Sequence, residues 1–163
     1  MGRIVVGVDG SSDSKAALQW AVDEARRRGD EVIPVYVYGI SDEHNPFLAA
    51  YASFASTSSA EQTAKDAMRW QEERGEATHR QAQGVVTSLV RDVAGENPDV
   101  AVTPIAVPGG RPARALLERS RECSMLVVGA RGRGGFRGLR LGSVAEKCVR
   151  HADCSVMVIR AKG

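Results

Sequence analysis

Arg3-Ile4-Val5-Val6-Gly7-Val8-Asp9-Gly10-Ser11-Ser12 opens the chain with β-branched residues and stops in a glycine and serine turn, the signature of a buried strand over Arg3 to Asp9. A helix is expected next. Leu18, Ala21, Val22 and Ala25 recur at helical spacing on one face, Asp23, Glu24, Arg26 and Arg27 lie around the other, and Gly29 supplies the stop. A strand that turns directly into an amphipathic helix is the first half of a β-α-β unit.

The same alternation continues outward. Glu31 to Tyr38 predicts a second strand, in which Pro34 lacks a ladder donor, so that full pairing is expected only after it. From Gly39 to about Ser59 the pattern breaks into a long loop. Ala82, Val85, Val86, Leu89 and Val93 then predict a helix that starts after Ser59, runs to about Ala94, and is weakened locally by Gly75 and Gly84. Val100 to Val107 predicts a third strand, placed at an edge by Pro104. Pro112 suits the first turn of a helix whose inward face is Ala113, Leu116 and Leu117. Met125 to Val128 is a short strand ending in Gly129, and a helix from Ser143 to Arg150 leads to a last strand, Cys154 to Ile159. Strands alternating with helices call for an α/β fold: one open, five-stranded parallel sheet with helices on both faces, binding ligands beyond the carboxyl ends of its strands.

Length and composition fit that reading. The 163 residues support one core, and 43% apolar with 26% charged residues is an ordinary globular balance. A net charge of +2 gives no basis for nucleic-acid binding. The N-terminus reads as neither a secretory signal nor, with Val6 at the sixth position, a myristoylation signal, and no apolar run approaches membrane-spanning length. Cys123, Cys148 and Cys154 are odd in number and lack CxxC spacing, so burial as small hydrophobes is expected rather than a disulfide framework or zinc site. The expectation is a cytoplasmic, reduced protein with no membrane partner.

The chemistry concentrates in Gly129-Ala-Arg131-Gly132-Arg133-Gly134-Gly135-Phe136-Arg137-Gly138-Leu139-Arg140-Leu141-Gly142-Ser143, which holds six glycines and four arginines between a strand and a helix. Glycine lets backbone N–H groups approach an anion, and the helix start adds free N–H groups. A Walker A loop would need lysine before Ser143, where Gly142 stands, and a dinucleotide fingerprint starting at Gly132 would need glycine at Arg137. What remains is Gly129-x2-Gly132-x9-Gly142-Ser143. That spacing resembles the ATP-binding motif of the universal stress protein family. The resemblance extends to Ile4-Val5-Val6-Gly7-Val8-Asp9-Gly10-Ser11, Val35-Tyr36-Val37, Leu126-Val127-Val128-Gly129 and Ala152-Asp153-Cys154-Ser155-Val156-Met157-Val158-Ile159-Arg160. Only about Gly39 to Ala82 lacks a match.

The resemblance implies a single domain over 1–163, flavodoxin-like or Rossmann-like in the adenine nucleotide α-hydrolase-like manner, with a variable loop near 39–59. It implies a cytoplasmic stress-response protein that binds ATP, with Mg2+ as the usual companion, and acts through conformation or an unidentified protein partner. Asp9, with Val8 and Gly10, inherits nucleoside contacts by position; the alternative is a carboxylate that only accepts backbone N–H groups at the following turn. Val37 corresponds to a position against adenine. Gly129, Arg131, Gly132 and Arg133 correspond to the start of the motif, and Gly142, Ser143 and Val144 to its phosphate-cradling end. Ser143 also heads Ser143-Val144-Ala145-Glu146, a capping-box spacing that serves a helix with or without ligand. A homodimer through Ser155 to Ile159 is a further implication. Slow ATP hydrolysis, autophosphorylation at Ser143 or a serine between Ser53 and Ser59, and binding of cyclic AMP stand as alternatives. His44, His79 and His151 read as surface residues.

Overall fold

The computed structural model describes residues 2–39, 60–96, 98–132 and 141–162, with side chains of the second helix described from residue 75. Along these residues run β1 (Arg3–Gly7), α1 (Ser12–Arg28), β2 (Glu31–Tyr38), α2 (Ala60–Ala94), β3 (Ile105–Pro108), α3 (Pro112–Ser120), β4 (Met125–Gly129), α4 (Ser143–His151) and β5 (Ser155–Ile159). All strand pairs are parallel, in the order β3-β2-β1-β4-β5. This doubly wound order reverses direction beside β1, which leaves a crevice where the strands end. The segment 40–59, including most of the expected variable loop and His44, lies outside the described residues.

Alternation along the central strands builds two cores. Ile4 and Val6 point to the face covered by α1 and α2, where they meet Leu18, Val22, Val86 and Val90. Val5, Leu126 and Val128 point to the other face, against Ala113, Leu116, Ala145 and Cys148 of α3 and α4. Cys148 is buried, with Cys123 and Cys154 packed beside it in the same cluster, and all three thiols are free. Burial, and then the neighbouring Cys154, pushes the Cys148 thiol up to about 11. No described helix is long and apolar enough to cross a membrane.

Local chemistry sets the boundaries. Gly29 ends α1 in a left-handed cap at φ 70°, its N–H donating to the Ala25 carbonyl at 2.8 Å. Arg26, near that end, donates twice to Asp99 at 2.7 Å, and this guanidinium holds the Asp99 carboxyl below the usual carboxylate range. The helix α2 passes through Gly75 and Gly84 without interruption.

Two strand expectations change. β1 ends at Gly7 rather than Asp9, because the Asp9 N–H turns to the Ser14 hydroxyl at 3.3 Å. β3 covers Ile105–Pro108 rather than Val100 to Val107, with an isolated bridge at Val102 to Val32 ahead of it. The prolines explain the gap. Val32 exchanges both its backbone bonds with Ala101 and Thr103, so Pro34, two residues on, turns its donorless nitrogen to the same side, opposite Pro104. β2 therefore pairs with β1 from Glu31 onward and with β3 continuously only from Val35. β3 occupies one edge, as Pro104 predicts, and Gln83 of α2 covers it: the side chain accepts from the Ala106 N–H at 2.9 Å and donates to the Pro104 carbonyl at 2.7 Å.

Candidate functional site

The turn after β1 is held by a compact set of hydroxyl and carboxyl bonds. Val8 makes one more ladder bond, its N–H reaching the Val35 carbonyl at 3.0 Å. Asp9 Oδ1 accepts the Ser11 N–H at 2.9 Å, the structural role open to an aspartate at a turn. Ser11 is the N-cap of α1, its Oγ accepting from the Ser14 N–H at 3.2 Å, and Ser14 Oγ donates back to the Ser11 carbonyl at 3.0 Å.

The second wall comes from the end of β4. A Cβ at Gly129 would lie 2.9 Å from the Asp13 carbonyl carbon and the Ser14 nitrogen, so glycine is what lets the strand end meet the start of α1. A Cβ at Gly132 would lie 2.7 Å from Asp9 Oδ2. The returning limb closes on the outgoing one, since the Gly142 N–H donates to the Ala130 carbonyl at 2.7 Å. α4 then begins at Ser143. Its N-cap is Gly142, in extended backbone and without a side-chain cap, so Ser143 does not form the capping box that its spacing suggests. Ser143 is instead the first residue of the helix and lines the hollow.

These pieces enclose a cavity of about 490 Å³ at the carboxyl ends of β1, β2 and β4. Of the residues singled out in the sequence, Val8, Asp9, Val37, Gly129, Arg131, Gly132, Gly142, Ser143 and Val144 line it. Gly10 does not; it takes φ 81° in the turn behind Asp9. Arg133 lies outside the described residues, as do the serines between Ser53 and Ser59. His79 is exposed and bonds the Tyr38 hydroxyl at 2.7 Å, and His151 is exposed at the end of α4, so neither joins the cavity.

Sequence reasoning missed three residues. Pro112 and Leu116 of α3 supply an apolar wall opposite Val35 and Val37; in the sequence they read as a helix start and a core position. Asp13 does not line the cavity but is buried, its Oδ2 accepting the Arg131 N–H and its Oδ1 the Ala161 N–H, each at 3.0 Å. An acid in a first helical turn ordinarily reads as a dipole partner; its long-range bonds are invisible without the fold.

The lining combines apolar Val8, Val37 and Leu116 with Asp9, the glycines Gly129, Gly132 and Gly142, and the start of α4. Such a site suits a flat apolar ring joined to an anion. A neighbouring hollow of about 690 Å³ between α3 and α4 shares Pro112, Ser143 and Val144 and carries Arg111, Arg121 and Lys147, which makes the mouth basic.

Comparison with known proteins agrees on the fold and narrows the kinship. The family described as the universal stress protein family matches residues 1–160. Universal stress protein Rv2623 of Mycobacterium tuberculosis is 33% identical over 157 residues, covering 96% of this chain and 44% of the relative. The chain thus spans less than half the length of that curated relative. Among solved structures, universal stress protein UspA from Lactobacillus plantarum superposes with a TM-score of 0.63 at 26% identity, covering 98% of this chain and 97% of that one. The universal stress protein from Archaeoglobus fulgidus in complex with dAMP superposes with a TM-score of 0.55 at 21% identity, covering 98% of each chain.

Proposed function

This chain belongs to the universal stress protein family, and from that premise we propose that its cavity binds an adenine nucleotide, ATP in preference to others, as the regulatory ligand of a cytoplasmic stress-response protein. One observation carries the reading. The glycines spaced as Gly129-x2-Gly132-x9-Gly142 converge on one cavity, where a Cβ at Gly132 would strike Asp9 and the start of α4 opens onto the same space. A backbone cradle with no side chain to spare is what phosphate oxygens need.

Each residue then has a task. Val8 and Val37, with Leu116, would pack the adenine ring, and the Asp9 carboxylate would meet a ribose hydroxyl or the adenine amine. Gly132, Ser143 and Val144 would present N–H groups to the phosphates, Gly142 would keep the approach open by lacking a side chain, and Arg131 would add charge at the rim with Arg133 next in line. Mg2+ would come with the phosphates and keep most of its waters, as this ion commonly does. ATP when bound supplies phosphate charge and a rigid ring; the chain's own residues orient it and shield its base from water. The dAMP complex of the Archaeoglobus fulgidus protein supports an adenine ligand in this fold.

The reading extends to a homodimer through β5. That strand ends the sheet opposite β3, and the Ile159 carbonyl accepts from Ala130, just beyond β4, so the backbone groups of Val156 and Val158 face outward. β3 is covered by Gln83, which bonds Pro104 and Ala106, whereas an apolar edge such as β5 invites a second strand.

Identifying the nucleotide carried through purification by mass spectrometry, followed by competition between ATP and cyclic AMP, tests ligand choice. ATP is expected to displace cyclic AMP at lower concentration than the reverse; the opposite order would make cyclic AMP the ligand.

A further inference from the structure

We propose that Asp13 is a positioning residue that fixes the glycine segment for phosphate binding and ties that segment to the chain leaving β5. The inference rests on the nucleotide reading above and concerns a residue outside the cavity wall.

The side chain is 6% exposed, and each of its oxygens accepts a backbone N–H from a different part of the chain: Arg131, 118 residues away, and Ala161, 148 residues away. A carboxylate in the first turn of a helix usually serves that helix's own unpaired N–H groups. Here Ser11 already caps α1, which leaves the Asp13 oxygens to reach across to two other segments. The contact is close, because Gly129 has no room for a side chain between β4 and the Asp13 backbone.

The bonds continue on both sides. The Ala130 N–H donates to the Ile159 carbonyl at 2.7 Å, and the Ala130 carbonyl accepts the Gly142 N–H at 2.7 Å. One short path therefore runs from the end of β5 through Asp13 and residues 130–131 to the residue that caps α4. Losing the carboxylate would leave the Arg131 and Ala161 donors of these part-buried bonds without their partner, which favours other positions of both segments. Adenine packing against Val8, Val37 and Leu116 would be untouched. Coupling through such a path is reciprocal, so phosphates that hold the glycine segment also hold the chain after β5.

The experiment measures ATP and adenosine affinities of the full chain by calorimetry, for the wild type, Asp13→Asn and Ala161→Pro. The proline variant removes one donor while keeping the carboxylate, and it answers the question if Asp13→Asn does not fold. Amide exchange at Arg131 and Ala161 is followed with and without ATP. The expected result is ATP affinity about tenfold weaker in either variant, within the usual range of couplings, with adenosine affinity held within about twofold. ATP should slow exchange at Ala161 in the wild type and lose that effect in Asp13→Asn. Equal losses for ATP and adenosine, or unchanged ATP affinity in a folded variant, would overturn the proposal. If the wild type binds neither ligand, the nucleotide reading fails and so does the phosphate-positioning role. The tie itself is then decided by the ligand-free protein: faster exchange at Arg131 and Ala161 together in Asp13→Asn upholds it, and unchanged exchange overturns it.

Discussion

At the scale of single residues, glycine spacing is legible in the sequence because close approach admits few alternatives, whereas roles set by backbone angles are not. Ser143 shows the difference. Ser143-Val144-Ala145-Glu146 has the letters of a capping box, yet Gly142 takes the cap because its N–H is held by Ala130 and its backbone is extended there. Ser11 is the serine that does cap, over α1, and Ser11→Ala is expected to lower stability by about 1 kcal/mol in chemical denaturation. Asp13 was unreadable for a related reason: its partners lie more than a hundred residues along the chain. The cysteines behave as small core residues, and Cys148 carries a pH signature. Its thiol titrates at about 11 in the fold against an ordinary 9.0. The raised value means that burying the neutral thiol contributes fully below pH 9 and is lost as pH rises toward 11. Alkylation of Cys148 in the native protein should stay slow at neutral pH and accelerate only near pH 11, while the unfolded chain should react from about two pH units lower. Rapid alkylation of Cys148 at neutral pH in the folded protein would contradict its burial.

At the scale of elements, strand and helix identities follow from periodicity, and what the sequence obscures is how prolines are accommodated. Pro34 stands in an interior strand, normally a poor place for it. The chain solves this by turning the missing donor toward β3, where Pro104 stands opposite and the ladder breaks between Val102 and Ile105. Reading Pro104 as an edge signal succeeds for the strand's position and fails for its length, since periodicity cannot tell a bridge from a ladder. The edge also depends on one side chain of α2. Gln83 takes the place of a neighbouring strand by bonding Ala106 and Pro104. Gln83→Ala should cost about 1–3 kcal/mol, the range for leaving buried polar groups unpaired. Faster amide exchange at Ala106 should accompany it. Denaturation and exchange data that leave both quantities unchanged would show that the edge needs no such cover.

At the scale of the whole molecule, the alternation of strands and helices was enough to anticipate a parallel sheet wrapped on both faces, and the order β3-β2-β1-β4-β5 puts its crevice where the glycines emerge. The α3 wall of that crevice was not anticipated, because Pro112 and Leu116 look like any helix start and core leucine until packing brings them beside Val37. Among the described residues the two edges of the sheet are unequal, Gln83 covering β3 and no strand pairing with the outer side of β5, and this asymmetry makes an assembly prediction. Sedimentation at micromolar concentration should show twice the chain mass for the wild type and a single chain for Val158→Pro, which removes an outward N–H from β5. A wild-type monomer would sink the dimer. The most direct test of the account is calorimetric titration of Mg-ATP into the wild type beside a Gly132→Ala/Gly142→Arg variant of unchanged fold. The account predicts saturable binding by the wild type and a loss of at least about tenfold, or 1.4 kcal/mol, in the variant. Equal affinities in the two proteins, or no binding by the wild type, would contradict the assignment of the glycine segment as a nucleotide site.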